Sequence, residues 1–417
     1  MTAPAASPPA TAPQSAAARR RFILLLVAVA AISPLGINIY LPSMPAMARS
    51  LGVDYATIQV TLSVYLAAVA LGQLVVGPLS DRFGRRPVLL AGMCMYVLGS
   101  LVCGLAESIF WLNIGRVIQA LGGCSGITLT RTMVRDLYDR NQSASMIGYL
   151  TMGMSVAPMV APVLGGLLEA TYGWRSSFFF LVGFAALVTA LAGVKLRETN
   201  PYLLQRQAAD EPRSAYAPAG ATAMGLLRGY GKLICSGTFW GYALTTSFAS
   251  GVFFAFVAGA AYVMIELMGR SPFEYGVYFG SVSLGYIAGN FLSGRYAARV
   301  GPDRMIAFGS LCNLVFVLIM VVGFGLLGVH HPLMLFLPMM GVAMSNGLVL
   351  PSAIAGAVSV RPDAAGAASG LAGSLQMGFA ALVAPLVGWL LVDSAWPLLG
   401  VMLVSSILSV ITYRLIR

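Results

Sequence analysis

Long apolar runs repeat along almost the whole chain and are separated by short polar connections. A helix of about 20 apolar residues spans the hydrocarbon core of a bilayer, so each run predicts a transmembrane helix. Six runs precede a long polar stretch and six follow it, which predicts an all-α membrane protein with twelve transmembrane helices. The predicted spans are 22–45, 57–79, 88–106, 109–130, 142–168, 174–194, 235–263, 273–293, 304–328, 332–358, 364–391 and 395–413.

The composition agrees with this pattern. Of the 417 residues, 58% are hydrophobic and 9% are charged, which is too few charges to cover a soluble protein of this size. The formal net charge of +11 comes from Lys and Arg residues that fall mainly in the loops on one side of the predicted membrane. Such an excess marks the cytoplasmic side and places both termini there. The basic charge is therefore an orientation signal, and no nucleic-acid partner is expected.

Two polar stretches divide the chain into four regions. Residues 1–18 are rich in Ala, Pro, Ser and Thr, cannot bury a core, and predict a disordered N-terminal tail. Residues 195–232 are the other polar stretch and predict a cytoplasmic linker. The remaining regions, 19–194 and 233–417, are each predicted to form a six-helix bundle.

Two sequence echoes relate the predicted bundles to each other. The stretch "LSDRF" at 79–83 is echoed by "LSGRY" at 292–296, each at the inner end of the second helix of its half. The stretch "VAPVLGGLL" at 160–168 is echoed by "VAPLVGWLL" at 383–391, in the fifth helix of each half. Parallel six-helix repeats with a site between them near the middle of the membrane are a transporter architecture.

The connection between the second and third spans reads "GPLSDRFGRRP" and concentrates charge at the cytoplasmic surface. A plain interpretation is positive-inside charge with a turn, in which Gly77 allows close helix approach and Gly84 a sharp bend. The full G-x-L-x-D-R-x-G-R-R-P pattern, however, resembles the loop 2–3 signature of the major facilitator superfamily, which forms a gate on the inner side. By resemblance, Asp81 should meet Arg85 or another nearby Arg and the positive N-terminal end of the eleventh helix. The gating residues expected here are Gly77, Asp81, Arg82, Gly84, Arg85 and Arg86.

The fourth span, "LNIGRVIQALGGCSG", contains Arg116, the only charge well inside any predicted span. A charge inside a membrane is costly and points to function, although an Arg that donates hydrogen bonds to neighbouring helices is a structural alternative. Arg116, Gln119 and Gly122 resemble the fourth-helix motif of the same superfamily, which is linked there to proton transfer. The stretch "VRDLY" that follows adds two gating candidates, Arg135 and Asp136.

The fifth span, "GYLTMGMSVAPMVAPVLGGLL", is rich in Gly and Pro. Such a face packs closely and can kink, and Gly-rich helices are common in membranes. Its spacing nevertheless resembles the antiporter motif of drug-exporting facilitators, and this resemblance implies export rather than uptake. The residues expected to act in gating or coupling are Pro158, Pro162, Gly165 and Gly166.

The first span contains "LGINIYLPSMP", which together with the later motifs resembles the bicyclomycin and chloramphenicol resistance (Bcr/CflA) drug:proton antiporters. In that group this helix commonly carries an Asp that can exchange a proton for drug, and here the position is Asn38. The amide keeps the shape and the hydrogen bonding of an acid but cannot titrate. All 14 acids lie in loops or near span ends, so no carboxylate is expected at the midplane. Asn38 either lines the substrate cavity or makes a helix–helix hydrogen bond, and both interpretations stay open.

These features predict a major facilitator fold that exports small amphipathic drug-like compounds across the bacterial inner membrane by alternating access, with proton antiport. With no anion at the midplane, the cavity should favour neutral or anionic compounds. The alternative is facilitator-type uptake or export of a small metabolite without strong proton coupling. The cavity candidates are Asn38, Tyr40, Tyr65, Gln73, Asn113, Arg116, Gln119, Trp240, Tyr242, Phe253 and Phe254.

The expected partners are a small-molecule substrate and the lipid bilayer, and the expected state is a monomer. The sequence offers no nucleophile–base pair and no cofactor loop, so an enzyme is not expected. The five cysteines are isolated inside spans without metal-ligand spacing, so no metal site is predicted. The proton gradient, rather than a cofactor, is the expected energy source.

Overall fold

Every regular element that the structure describes is helical, and the predicted all-α class is confirmed. The computed structural model describes residues 15–138, 140–200, 231, 233–360, 365–391 and 394–414. The first helices are α1 (Ala17–Leu51), α2 (Tyr55–Phe83), α3 (Arg85–Leu105), α4 (Ile109–Leu137), α5 (Arg140–Tyr172) and α6 (Arg175–Lys195). They are followed by α7 (Gly237–Leu267), α8 (Pro272–Val300), α9 (Pro302–Leu326), α10 (Pro332–Ser359), α11 (Ala365–Leu390) and α12 (Trp396–Arg414).

Much of the two predicted polar regions lies outside the described residues. This applies to residues 1–14 of the predicted tail and to residues 201–230 of the predicted linker. Within the described part, nine helices are long and apolar enough to cross a membrane. The helices α4, α5 and α8 do not meet the same criterion over their described residues, although they are 29, 33 and 29 residues long. The chain is an integral membrane protein.

Helix α1 is longer than the span predicted at 22–45. It contains a tighter turn at Leu41–Ser43 and then continues as helix to Leu51. Pro42 and Pro45 each stand at the start of one of these segments, where a missing amide donor costs little. The turn therefore extends the helix beyond the apolar run and brings the charged Arg49 to its end.

Local sequence explains where several helices begin and end. At the start of α2, the Asp54 side chain accepts a hydrogen bond from the Thr57 amide at 2.8 Å. At the start of α8, Ser271 and Glu274 form a reciprocal capping box. Gly84 separates α2 from α3 with φ at 105°, a backbone conformation that glycine adopts without strain.

The helices α1–α6 form the first half of the molecule and α7–α12 the second half. In the first half α4 packs against α2 and α3, α1 against α5, and α3 against α6. The same contacts recur in the second half, where α10 packs against α8 and α9, α7 against α11, and α9 against α12. The most extensive contacts between the halves are α2 with α11 and α5 with α8, and they correspond to each other under the same shift of six helices.

The halves touch most closely at one end. We call the end where α1 joins α2 and α7 joins α8 the odd-loop end, and the opposite end the even-loop end. At the odd-loop end the Tyr55 hydroxyl donates to the Ala258 carbonyl at 3.1 Å, and near the middle of α2 the Ser374 hydroxyl donates to the Ala70 carbonyl at 3.0 Å. Toward the even-loop end, exposed side chains include Leu79, Phe83, Phe291 and Tyr296.

Candidate functional site

Arg116 of α4 is fully buried inside the first half. Its Nη1 donates to the Gly36 carbonyl of α1 at 3.1 Å and to Gln119 Oε1 at 2.6 Å. The rings of Tyr40 from α1 and Tyr65 from α2 cover the guanidinium, with centroids 4.3 Å and 4.2 Å from Cζ. These two cation–π contacts stabilise a charge from which water is excluded. Four predicted cavity residues thus meet around one cation.

A shell of hydroxyl groups from three helices supports this cluster. Gln119 Nε2 donates to Ser100 Oγ of α3 at 2.8 Å, and the hydroxyls of Tyr65 and Ser33 lie 2.8 Å apart. The Tyr96 hydroxyl donates to a carbonyl of α1 at 3.0 Å. Ser33, Tyr96 and Ser100 are not among the predicted cavity residues, because single hydroxyl residues in apolar helices carry no signal of their own. A small clue was the four-residue spacing of Tyr96 and Ser100 on one helix face.

No carboxylate neutralises Arg116 among the described residues, since neither of its hydrogen bonds nor any ion pair of this region joins it to an acid. Its Nε and Nη2 atoms have no hydrogen-bond partner there. Together these atoms form the side-on edge that binds a carboxylate with two hydrogen bonds. Burying a cation without a counter-ion is unfavourable by several kcal/mol, so this edge favours an anionic or polar ligand group.

Asn38 lies on α1, two residues before Tyr40, and is 4% exposed. Its Nδ2 donates to the Pro34 carbonyl of the same helix at 2.7 Å, and its Oδ1 is buried without a partner in the described residues. The hydrogen bond it makes is therefore within α1 and joins no second helix. A buried acceptor left unpaired is unfavourable, and a ligand donor would satisfy it.

Gln73 and Asn113 occupy two different positions relative to Arg116. Gln73 is partly exposed on α2 and faces Gly373 of α11, at the boundary between the halves. Asn113 lies one turn before Arg116 on α4, and its Oδ1 is buried without a partner among the described residues. Asn113 belongs to the first half alone, whereas Gln73 faces the other half.

The ring contacts and hydrogen bonds described for the four aromatic candidates from α7 lie within the second half. The rings of Phe253 and Phe254 contact each other with centroids 5.6 Å apart, within the second half. Trp240 Nε1 donates to the Ile234 carbonyl at 2.7 Å, near the start of α7. The Tyr242 hydroxyl donates to Asp303 at 2.9 Å, near the start of α9. Trp240 and Tyr242 therefore belong to the even-loop end of the second half in this conformation.

Arg85, the first residue of α3, organises the charges at the even-loop end of the first half. It forms ion pairs with Asp81 and, through Nε at 3.0 Å, with Asp136, and it donates to Ser80 Oγ at 2.7 Å. Asp136 lies beyond the apolar part of α4. Burial raises the pKa of Asp136 above its usual value, and the neighbouring Arg85 offsets part of that rise.

The expected partner of Asp81 in the eleventh helix is not among its contacts in the described residues. The side chain of Asp81 is 39% exposed and pairs with Arg85 of its own half. Helix α11 begins at Ala365, and residues 361–364 before it lie outside the described residues. Among the described residues, the ion pair of Asp81 is therefore within the first half.

Glu198, in the segment after α6, caps the N-terminus of α3. Its two carboxylate oxygens accept hydrogen bonds from the amides of Arg85 at 2.8 Å and Arg86 at 3.1 Å. A helix N-terminus carries a partial positive charge and free amides, so it favours an anion. Asn200 adds a hydrogen bond to the Asp81 carbonyl at 3.1 Å. This segment belongs to the predicted linker, and its contact with α3 was not predicted because Glu198 and Arg85 are 113 residues apart.

Among the other predicted gating residues of this end, Arg86 Nη2 donates to the Gly193 carbonyl of α6 at 2.7 Å, and Arg82, Arg135 and Gly77 make weaker contacts. The Arg82 guanidinium lies 5.3 Å from the centroid of the Phe83 ring, and Arg135 is exposed at the end of α4. Around Gly77 an added Cβ would meet no heavy atom within 4 Å. The close helix approach expected at Gly77 is therefore absent from this conformation.

The Gly and Pro residues of α5 fit the helix between α1 and α8. A Cβ at Gly165 would collide with the Ile39 carbonyl of α1, and a Cβ at Gly166 would lie 2.5 Å from the Pro272 carbonyl of α8. Pro162 lies one turn after Pro158, and a Cβ added at Gly276 of α8 would collide with the Pro162 carbonyl oxygen. Gly165 thus allows close packing inside the first half, and Gly166 allows close contact between the halves.

We expect Gly166→Leu to reduce transport about tenfold or more, because the side chain would wedge α5 away from α8 at the joint between the halves. Gly183→Leu on α6 is the matched control, since no heavy atom lies within 4 Å of its added Cβ. Transport in everted vesicles, normalised to the amount of protein in the membrane, compares the two variants. Equal transport by both variants would show that close contact at Gly166 is unnecessary.

Comparison with known proteins gives the family. The family model for the Major Facilitator Superfamily matches residues 26–385, so the chain belongs to this superfamily. It is a membrane transporter and not an enzyme, as predicted. Multidrug resistance protein D of Escherichia coli strain K12 is 31% identical over 352 residues, which are 84% of each chain. The bicyclomycin resistance protein homolog of Haemophilus influenzae Rd is 28% identical over 393 residues, covering 92% of this chain and 93% of that protein.

A solved structure shares the fold. A bacterial homolog of the human lysosomal transporter Spinster, in an inward-facing and occupied conformation, superposes with a TM-score of 0.71 over 96% of this chain and 97% of that chain. The two sequences are 17% identical, so the likeness concerns the fold alone. The predicted resemblance to bicyclomycin and chloramphenicol resistance transporters is confirmed by the sequence relatives.

Proposed function

We propose that this chain exports small amphipathic drug-like compounds across the bacterial inner membrane by alternating access, driven by proton antiport. The proposal includes twelve membrane-crossing helices in two six-helix repeats, both termini in the cytoplasm, a monomeric state and no cofactor. The observation that carries it is the packing of the halves. The helix contacts of one half recur in the other after a shift of six helices, and the halves touch most closely at one end. Relatives named for drug resistance supply the substrate class.

With the termini inside, the odd-loop end faces the outside of the cell. The close contact of the halves at that end then corresponds to a conformation closed toward the outside and looser toward the cytoplasm. Rocking of one half against the other about α2–α11 and α5–α8 would exchange the two sides, as in other transporters built from repeats. The small residues of α5 at the joint allow this movement without a large change in packing.

Substrates are proposed to be neutral or anionic rather than lipophilic cations. Arg116 presents two unpaired donors, no described carboxylate balances it, and Asn38 adds an amide where an acid would attract cations. The alternative function, transport of a small metabolite without strong proton coupling, is favoured by the same absence of a described midplane acid. The two functions differ in whether transport is driven by the proton gradient.

Everted membrane vesicles test this difference directly. An exporter accumulates its substrate inside such vesicles when they are energised and loses that accumulation when the proton gradient is collapsed. Chloramphenicol is the neutral probe, and a drug-susceptibility panel on cells that overproduce the chain extends the test to other classes. Uptake that only equilibrates, with no response to the gradient, would establish the alternative.

We expect Asn38→Asp to give active protein whose transport depends more strongly on pH than wild type and handles cationic drugs better. Loss of hydration would raise the pKa of a buried acid at position 38, and any approach to Arg116 would lower it. The two effects together would bring its titration toward neutrality. Drug-induced proton release in vesicles over about two pH units around neutrality measures the effect. Asn38→Gln, which keeps the amide, is the control. Coincident profiles for Asn38→Asp and wild type would remove Asn38 from the coupling site.

A further inference from the structure

An ion pair joins the two halves at the odd-loop end. Arg49, near the end of α1, pairs with Glu266, in the last turn of α7, and their side chains are 64% and 34% exposed. Glu266 lies in a π-helical turn, Val263–Leu267. Such wide turns are rare and frequently occur at functional positions. Neither residue belongs to any of the sequence motifs described above.

A second acid faces Arg49 from its own half. Glu169 lies at the end of α5, one turn beyond Gly165 and Gly166, on the face that packs against α1 and α8. Arg49 is the cation of α1 whose charge interacts with that of Glu169. Its Oε2 is buried and has no hydrogen-bond partner among the described residues. Arg49 is therefore paired with an acid of the second half and lies within electrostatic range of an acid of the first half.

Other charged groups nearby on the neighbouring helices are already engaged. Arg270 and Glu274, around the first turn of α8, pair with each other at 3.9 Å. Arg175, at the start of α6, donates to the Ala106 carbonyl at 2.9 Å and lies over the Trp174 ring. Arg49 is thus the nearby cation that can form an ion pair with Glu169.

Further contacts show that this end is closed. Gln59 and Tyr55 of α2 both donate to the Ala258 carbonyl of α7. The rings of Tyr55 and Tyr262 lie 4.7 Å apart between centroids. These contacts and the pair of Arg49 with Glu266 all join the same two helical segments, α1–α2 and α7, and must all break if the halves separate there.

We propose that Arg49 exchanges one acid for the other during the transport cycle. It pairs with Glu266 while the odd-loop end is closed and with Glu169 when the halves separate. Separation carries Glu266 away, whereas Arg49 and Glu169 stay together in the first half. The unpaired carboxylate oxygen of Glu169 then receives the cation that separation has released. The exchange offsets the loss of one ion pair with the gain of another, so that neither conformation is trapped.

This inference rests on alternating access and gives opposite expectations for the two acids. Glu266→Gln removes the partner of the closed state and should favour opening. Glu169→Gln removes the partner of the open state and should favour closure. Partly exposed ion pairs stabilise weakly, so each change should shift the population about two- to fivefold.

Accessibility of a cysteine at the closed end measures the shift. Ala258→Cys places a thiol at a fully buried position whose carbonyl receives both bonds from α2. A membrane-impermeant maleimide is applied to intact cells and to everted vesicles. Labelling of the same chain without Ala258→Cys is subtracted, to remove the contribution of the native cysteines. Ala56→Cys, which faces Gly388 across the boundary of the halves, is the second reporter if the first does not reach the membrane.

Faster labelling with Glu266→Gln, slower labelling with Glu169→Gln and no change with Glu274→Gln would support the exchange. Shifts of both variants in one direction, or no effect of Glu169→Gln with either reporter, would overturn it. Arg49→Glu combined with Glu266→Arg rebuilds the pair of the closed state but places a like charge beside Glu169 when the halves separate, so this variant should label more slowly than wild type. Wild-type labelling of this variant would contradict the role of Glu169. Labelling needs no substrate, so a chain that follows this pattern but exports no drug would refute the proposed function and leave the exchange standing.

Discussion

Arg116→Ala is expected to reduce export to less than about a tenth of wild type, with protein still present in the membrane. The change removes the cation between Tyr40 and Tyr65 and the two unpaired donors offered to a ligand. It also leaves the Gly36 carbonyl and the Gln119 side chain without their donor. The measurement is drug accumulation in energised everted vesicles, normalised to membrane protein detected by immunoblot.

Two control variants separate a functional from a structural role. Arg175→Ala removes an Arg that also covers an aromatic ring and donates to a carbonyl, but lies at the odd-loop end of α6, and it should transport nearly as wild type. Arg116→Lys keeps the charge but loses the flat group that fits between two rings, and it should give partial activity. If Arg116→Ala protein is scarce in the membrane but transports normally per molecule, Arg116 serves folding alone.

Asp81→Asn is expected to reduce transport about tenfold or more, while membrane protein stays near normal. Arg85 is nearly buried and shares its charge between Asp81 and Asp136, so the change leaves it with one carboxylate. The superfamily resemblance further implies that Asp81 meets the N-terminus of α11 when the even-loop end closes. Initial transport rates in vesicles, with membrane protein quantified in parallel, test this expectation.

The matched control is Asp303→Asn, at the even-loop end of the second half. Asp303 lies in the first turn of α9 and accepts a hydrogen bond from Tyr242, without an ion pair among the described residues. Loss of the Asp303 charge should change transport little. Full activity of Asp81→Asn would show that the charged loop sets membrane orientation and nothing more.

The sequence by itself determined the helical class, the positions of the helices and the family. In lipid each apolar helix satisfies its backbone hydrogen bonds internally, so a run of apolar residues specifies a helix whatever its neighbours are. The loop motif around Asp81 and the Arg116 motif identified the superfamily, because their residues are close together in sequence and each has a definite chemistry. Tyr40, Tyr65, Arg116 and Gln119 are all among the eleven cavity residues that the sequence predicts.

Which side chains touch was decided only by the tertiary structure. Trp240 and Tyr242 were expected in the cavity and lie at one end of the second half, and Gly77 faces open space. The cap of Glu198 on α3 and the pair of Arg49 with Glu266 join positions 113 and 217 residues apart. A helix presents side chains in all directions, and its sequence does not state which neighbour each face will meet. That choice depends on how the shapes of all the helices fit together, so it is a property of the assembled bundle.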